Sequence, residues 1–277
     1  MTHAWIMAGV TFREAARKKI LWMALAAGVA FLLLFSLGLH FQMESFEDNH
    51  VRGFVRRQAV SGILMMGFYA IDSLVVVMTV LASVDTLSGE IASGAIQAIA
   101  TKPVSRWEVL AGKWLGFSFM LSLYIALMVI GIDTLAHFLT GVAARHILRG
   151  FGLIWMESML LLSVTFFFGT WFSTLTNGVL TLGLHGLAFL GGWLEQAGAL
   201  THTPKAVDVG IVASILMPSE SLWRRAVFEM QSPLTTALNF SPFSGASVPS
   251  PLMIGYATLY VVLFFFLAIQ RLEKRDL

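Results

Sequence analysis

Long apolar runs separated by short polar stretches dominate the chain from residue 20 to residue 270. Six runs reach spanning length: residues 20–41, 59–84, 114–140, 151–172, 178–194 and 251–270. About 20 helical residues, at ~1.5 Å each, cross a ~30 Å hydrocarbon layer. The first and last runs carry no Asp, Glu, Lys or Arg; the second carries Asp72, the third Asp133 and the fourth Glu157. The fifth is the shortest and contains His185. The strict alternation of a membrane β-barrel is missing, and helices satisfy their own backbone in lipid. The pattern predicts an all-α polytopic membrane protein, one transmembrane domain over residues 1–277 with six spanning helices.

Three segments outside these runs are also patterned. Residues 1–19 predict an interfacial elbow helix, with Trp5, Ile6, Gly9, Phe12 and Ala16 at helical spacing and Arg13, Arg17 and Lys18 turned to headgroups. Thr11 and Glu14 stand at capping-box spacing, so a helix is expected to start there and run into the first span. The outer loop, residues 195–250, holds an apolar stretch (209–217) too short to span, read as re-entrant or interfacial. An amphipathic piece follows from Pro218, with Leu222, Trp223, Ala226 and Met230 on one face and Arg224, Arg225 and Glu229 on the other. Glu157, near the outer end of its run, is expected to snorkel to the interface.

Composition supports the membrane reading. The chain is 57% hydrophobic and 12% charged, against about 25% charged in soluble domains. The net charge of +2 is small, and basic residues flank the apolar runs, which suits lipid headgroups and not nucleic acid. The chain has no Cys, which excludes disulfides and thiolate metal sites. The start of the chain does not read as a signal peptide, because its first apolar run is too long. An even number of spans places both termini on one side. That side collects ten Lys and Arg against eight, with Arg17, Lys18 and Lys19 abutting the first span and Arg271, Lys274 and Arg275 the last. The positive-inside rule then puts both termini, and residues 85–113, in the cytoplasm.

Residues 85–113 are the most informative polar stretch. Ile91, Ala95, Ala98 and Ile99 form one apolar stripe, leaving Glu90, Ser93, Gln97 and Lys102 as a polar set. Pro103 ends that short helix. Ser105-Arg106-Trp107-Glu108 is a capping box that opens the next helix, which enters the bilayer at Trp114. Gly94 and Gly112 permit close backbone approach. The expected result is a knob of helix, break and helix carried by two spans.

Glu90, Ser93, Gly94, Ile96, Pro103, Ser105, Arg106, Glu108, Gly112 and Lys113, in this order, resemble the cytoplasmic loop of type-2 ABC (ATP-binding cassette) permeases. The elbow, six spans, outer loop with short helices and the tail Lys274-Arg275-Asp276 also resemble that family. The small stand-alone permeases, including the one that serves nitrous oxide reductase maturation, are the most similar. The resemblance implies a coupling helix seated in a separate nucleotide-binding subunit, with two permease copies and two ATPase copies in the bacterial inner membrane. It implies export, with ATP and Mg bound by the partner and no cofactor on this chain.

Other chemistry is weaker. Gly112-Lys113-Trp114 echoes the end of a phosphate loop, but the upstream Gly is missing and Trp replaces Ser or Thr. Asp133 and His137 share a helix face at i, i+4 and read as an interfacial polar pair before a metal-ligand set. A mid-bilayer carboxylate costs roughly 2.5–3.5 kcal/mol, so Asp72 must face protein or water. Asp72, Asp133 and His137 are the candidates to line a translocation path. The alternatives are an ion-coupled secondary transporter using these carboxylates, or a membrane scaffold without transport.

Overall fold

The computed structural model describes residues 2–17, 19–51, 53–92, 105–231 and 247–274. The described residues form α-helices and no strand: α1 (Thr2–Arg17), α2 (Lys19–Asp48), α3 (Gly53–Ala92), α4 (Arg106–Thr140), α5 (Ile147–Gly169), α6 (Thr174–Leu200), α7 (Pro204–Leu216), α8 (Ser219–Met230) and α9 (Leu252–Glu273). The chain is thus an all-α polytopic membrane protein. Five of these helices, α2–α5 and α9, are long and apolar enough to cross a membrane. The fifth expected span lies in α6. Its 27 residues are ample in length, but its apolar character is diluted by His185, Glu195 and several glycines.

The predicted short outer helices are α7 and α8, bent by 106° at the intervening break. Met217 is extended (φ −146°, ψ 101°), and Pro218 cannot continue a helix ladder. The break orphans the last carbonyls of α7. Tyr256 and Tyr260 of α9 supply the missing donors, their hydroxyls reaching Ile215 O at 2.5 Å and Leu216 O at 2.9 Å. The far end of α8 returns to the α4–α5 turn, where Met230 O accepts from Arg145 N at 3.0 Å. The pair enters from the end where α6 stops and leaves by that same end, as a re-entrant hairpin does.

The expected inner face of α8 packs inward: Leu222, Trp223, Ala226 and Met230 are all fully buried. The expected outer face does not all reach water. Arg224 turns inside and pairs with Glu195 of α6 at 2.8 Å, whereas the half-buried Arg225 and the exposed Arg149 share the half-buried Glu229, at 2.8 and 3.0 Å. The hydrophobic core is formed by α3, α4 and α5, around Phe68, Ile71, Leu121, Ile125, Met128, Leu161 and Phe166. By contrast, only 6% of the most apolar stretch of α2 and 11% of that of α9 are buried, so these two helices lie at the protein's margin.

The elbow helix differs from expectation in two ways. It already begins at Thr2, so Thr11 is an interior helix position, 97% buried, and caps nothing. Its packed face is the small-residue stripe Ala4, Ala8, Thr11 and Ala15, while Trp5 and Ile6 point outward. α1 is described to Arg17 and α2 from Lys19; the expected passage of one helix into the first span falls on residue 18, outside the described residues.

Candidate functional site

The roots of the polar insert converge at one end of the helix bundle. α3 delivers Glu90 and α4 begins at Arg106; Ser93, Gly94, Ile96 and Pro103 lie outside the described residues. The expected capping box forms. Ser105 is extended (φ −71°, ψ 143°), and the Glu108 carboxylate accepts from Ser105 Oγ at 2.8 Å and Ser105 N at 3.4 Å. Glu108 thereby caps orphan donors and places a negative charge at the positive end of the helix dipole. His3 of the elbow approaches the same carboxylate at 3.7 Å.

Four contacts tie this root to the rest of the molecule. Lys113, with only 3% of its side chain exposed, forms an ion pair with Glu90 that clips α4 to α3. Arg106 donates from Nη1 to the carbonyls of Leu272 at 3.0 Å and Glu273 at 3.3 Å, at the end of α9. A guanidinium at a helix C-terminus is well placed for those orphan acceptors. Trp114 donates from Nε1 to Ser163 Oγ of α5 at 3.1 Å.

The fourth contact is backbone on backbone. A Cβ on Gly112 would stand 2.4 Å from Met7 Cβ and 2.7 Å from Ala4 O; one on Gly116 would stand 2.8 Å from Ala8 O. The two glycines, one turn apart, form the bed on which the small-residue face of α1 lies. Gly112 therefore does permit close approach, but of the elbow. The phosphate-loop echo also dissolves, since Gly112 and Lys113 are interior residues of a continuous helix.

Of the candidate path residues, Asp133 and His137 share one turn and Asp72 lies apart from them. Asp133 accepts from Ala144 N at 2.7 Å and holds the α4–α5 turn, where Gly141 takes a left-handed conformation (φ 73°) to end α4. His137 is exposed on the same turn. Asp72 sits elsewhere, 5% exposed, beside Glu157 of α5 and Glu220 of α8. Glu157 does not snorkel: it is 1% exposed, because α6 and the re-entrant α8 close over it. His185 of α6 lies 3.8 Å from Glu157 and shares a 3.0 Å hydrogen bond with Ser219. No local sequence pattern joins this cluster, whose members come from four helices. Gly192 was its faint signal, since a Cβ there would stand 2.6 Å from Glu220 Cγ.

At the root end, Arg271 stacks over the exposed Trp171 ring at 4.1 Å. Trp5, Trp22 and Trp107 are also exposed near that end. Such an array of Trp with a basic partner marks a membrane–water boundary.

A family model described as ABC-2 family transporter protein matches residues 5–194. The matched region runs from the elbow to most of α6 and includes the Glu90–Lys113, Trp114–Ser163 and Asp133–Ala144 contacts; His3, Ala4 and the partners on α8 and α9 lie outside it. Comparison with curated proteins finds no match.

Proposed function

The chain belongs to the ABC-2 transporter family, as a membrane permease component that works with an ABC ATPase subunit, and from that premise we propose how the two are coupled. The insert between α3 and α4 receives the ATPase subunit on the cytoplasmic side, and nucleotide-driven movement there shifts the helices that carry it. The observation that supports this most directly is the four-way fastening of the insert's root. A push on a loop held by Glu90–Lys113, by Arg106 on α9, by Trp114 on α5 and by Gly112 and Gly116 under α1 moves α1, α3, α4, α5 and α9 as a set. An insert fastened to nothing would absorb the same push in its own hinges.

The orientation proposed, with both termini and the insert in the cytoplasm, is supported by the basic clusters at the two termini and by the exposed Trp residues at the root end. The poorly covered α2 and α9 support pairing with a second copy of the chain, and two ATPase subunits then complete the assembly in the bacterial inner membrane. Asp72, with its carboxylate neighbours, is the polar feature proposed to meet the translocating path. Export as the direction rests on the family resemblance alone. The test is ATPase turnover in the reconstituted complex. Glu90→Arg or Pro103→Leu is expected to abolish most stimulation of the ATPase by the permease while membrane insertion is retained. Full stimulation in both variants would refute the proposed route.

A further inference from the structure

Under the elbow helix lies a cavity of about 460 Å³, lined by Thr11, Glu14 and Ala15 of α1, Asp85, Thr86, Gly89 and Glu90 of α3, and Phe117 of α4. Its size is that of a small-molecule pocket. Three carboxylates line it, and one of them, Glu90, is matched by Lys113. Two formal negative charges, from Glu14 and Asp85, remain at its wall.

Thr86 adds an independent observation. Along the same stretch of α3, Thr79, Ser83 and Ser88 each donate their hydroxyl to the carbonyl four residues earlier, at 2.7, 2.6 and 2.8 Å. Thr86, 94% buried between them, does not. Its Oγ1 has no hydrogen-bond partner among the described residues, although the side chain lines the cavity. A buried hydroxyl left without a partner destabilises the fold, so a ligand that engages it is favoured. Gly89 leaves room for the Asp85 carboxylate to lie over it, since a Cβ there would stand 2.3 Å from Asp85 Oδ1, and that oxygen also accepts from Thr174 Oγ1 at 3.1 Å.

The carboxylates ring the space without converging: among the described residues no set of three acidic or His side chains is placed to hold a metal ion. A wide acidic pocket with a free hydroxyl suits a larger cation carrying several N–H donors. We propose that this cavity binds a primary ammonium group. The elbow's other flank favours a lipid as its source. A second cavity of about 460 Å³, almost wholly apolar, is lined there by Trp5, Phe12, Leu115 and Phe119, room for acyl chains beside the headgroup. The proposal is separate from the coupling route and requires only that α1 lie at the membrane surface.

The test compares lipids retained by the full-length chain after extraction from vesicles of equal phosphatidylethanolamine and phosphatidylcholine, read by native mass spectrometry. The two headgroups differ in that the choline nitrogen has no N–H to donate. The expected result is a roughly tenfold preference for phosphatidylethanolamine, the scale of one charge-assisted hydrogen bond. Asp85→Asn and the near-isosteric Thr86→Val should each reduce that preference, with unchanged melting in pure phosphatidylcholine as the folding control. Displacement of the retained lipid by free ethanolamine would assign recognition to the ammonium group itself. Preference without displacement would assign it to the headgroup anchored by its chains. Equal retention of the two lipids, or a preference that survives in the Asp85→Asn/Thr86→Val double variant, would overturn the proposal.

Discussion

The seat of the elbow helix on α4 permits a quantitative test. Replacing Gly112 and Gly116 together by Ala puts two methyl groups where Met7 Cβ, Ala4 O and Ala8 O already stand, at 2.4, 2.7 and 2.8 Å. Two of these three obstacles are backbone atoms, which cannot rotate aside, so α1 must lift. Overpacking of this kind costs about 1–3 kcal/mol per site. The better helix propensity of Ala returns up to about 1 kcal/mol of each. The sites share one interface and do not add fully, so about 2 kcal/mol against docking is a fair total. At about 1.4 kcal/mol per factor of ten, the undocked population should rise roughly thirtyfold. The natural chain has no Cys, so a single Thr11→Cys reporter, at a site 97% buried in the docked state, gives an unambiguous readout. Its reaction with a water-soluble maleimide should accelerate by about that factor in the Ala/Ala variant, and ATPase stimulation should fall in parallel. An unchanged labelling rate would show that α1 does not rest on these glycines. Faster labelling with full stimulation would show that elbow docking plays no part in coupling.

Three further outcomes follow from the contacts. Glu90→Ala strands the buried Lys113 ammonium and should lower stability by about 3 kcal/mol, more than Lys113→Met, which leaves a partly exposed carboxylate; melting temperatures in detergent rank the two. Arg224→Ala leaves Glu195 buried with Ser247 as its remaining hydroxyl donor at 2.5 Å and should cost about 3 kcal/mol in the same assay, whereas a Glu195→Gln/Arg224→Met pair should recover most of it. Asp133→Ala removes only the acceptor for Ala144 N and should cost about 1–2 kcal/mol while leaving ATPase stimulation intact; lost stimulation at full stability would instead return Asp133 to the path.

Much of this architecture was legible in the hydrophobic pattern, and the exceptions have physical causes. Spanning runs are long and cooperative signals, and Ser105 with Glu108 is a local device whose partners lie three residues apart, so both could be read directly. The inner face of α8 was equally plain from the spacing of Leu222, Trp223, Ala226 and Met230. The polar face was not, because Arg224 is held inside by a glutamate 29 residues away that no local pattern links to it. Glu157 was misjudged for a similar reason. Its position in the run suggested access to the interface, and only the packing of α6 and α8 removes that access. The elbow's real contact face, Ala4, Ala8, Thr11 and Ala15, does repeat at helical spacing opposite Gly112 and Gly116. Small residues carry little hydrophobic signal, however, and the larger Trp5, Ile6 and Phe12 drew the reading to the lipid side.

The central claim is that the insert carries force from an ATPase to the membrane helices, and site-directed crosslinking tests it most directly. With Ser93→Cys as the single cysteine, a short thiol crosslinker applied to membranes holding the assembled transporter should join this chain to its ATPase subunit, with a yield that changes when ATP is added. No crosslink to that subunit, together with labelling of Ser93→Cys only by reagents outside the cell, would contradict the account.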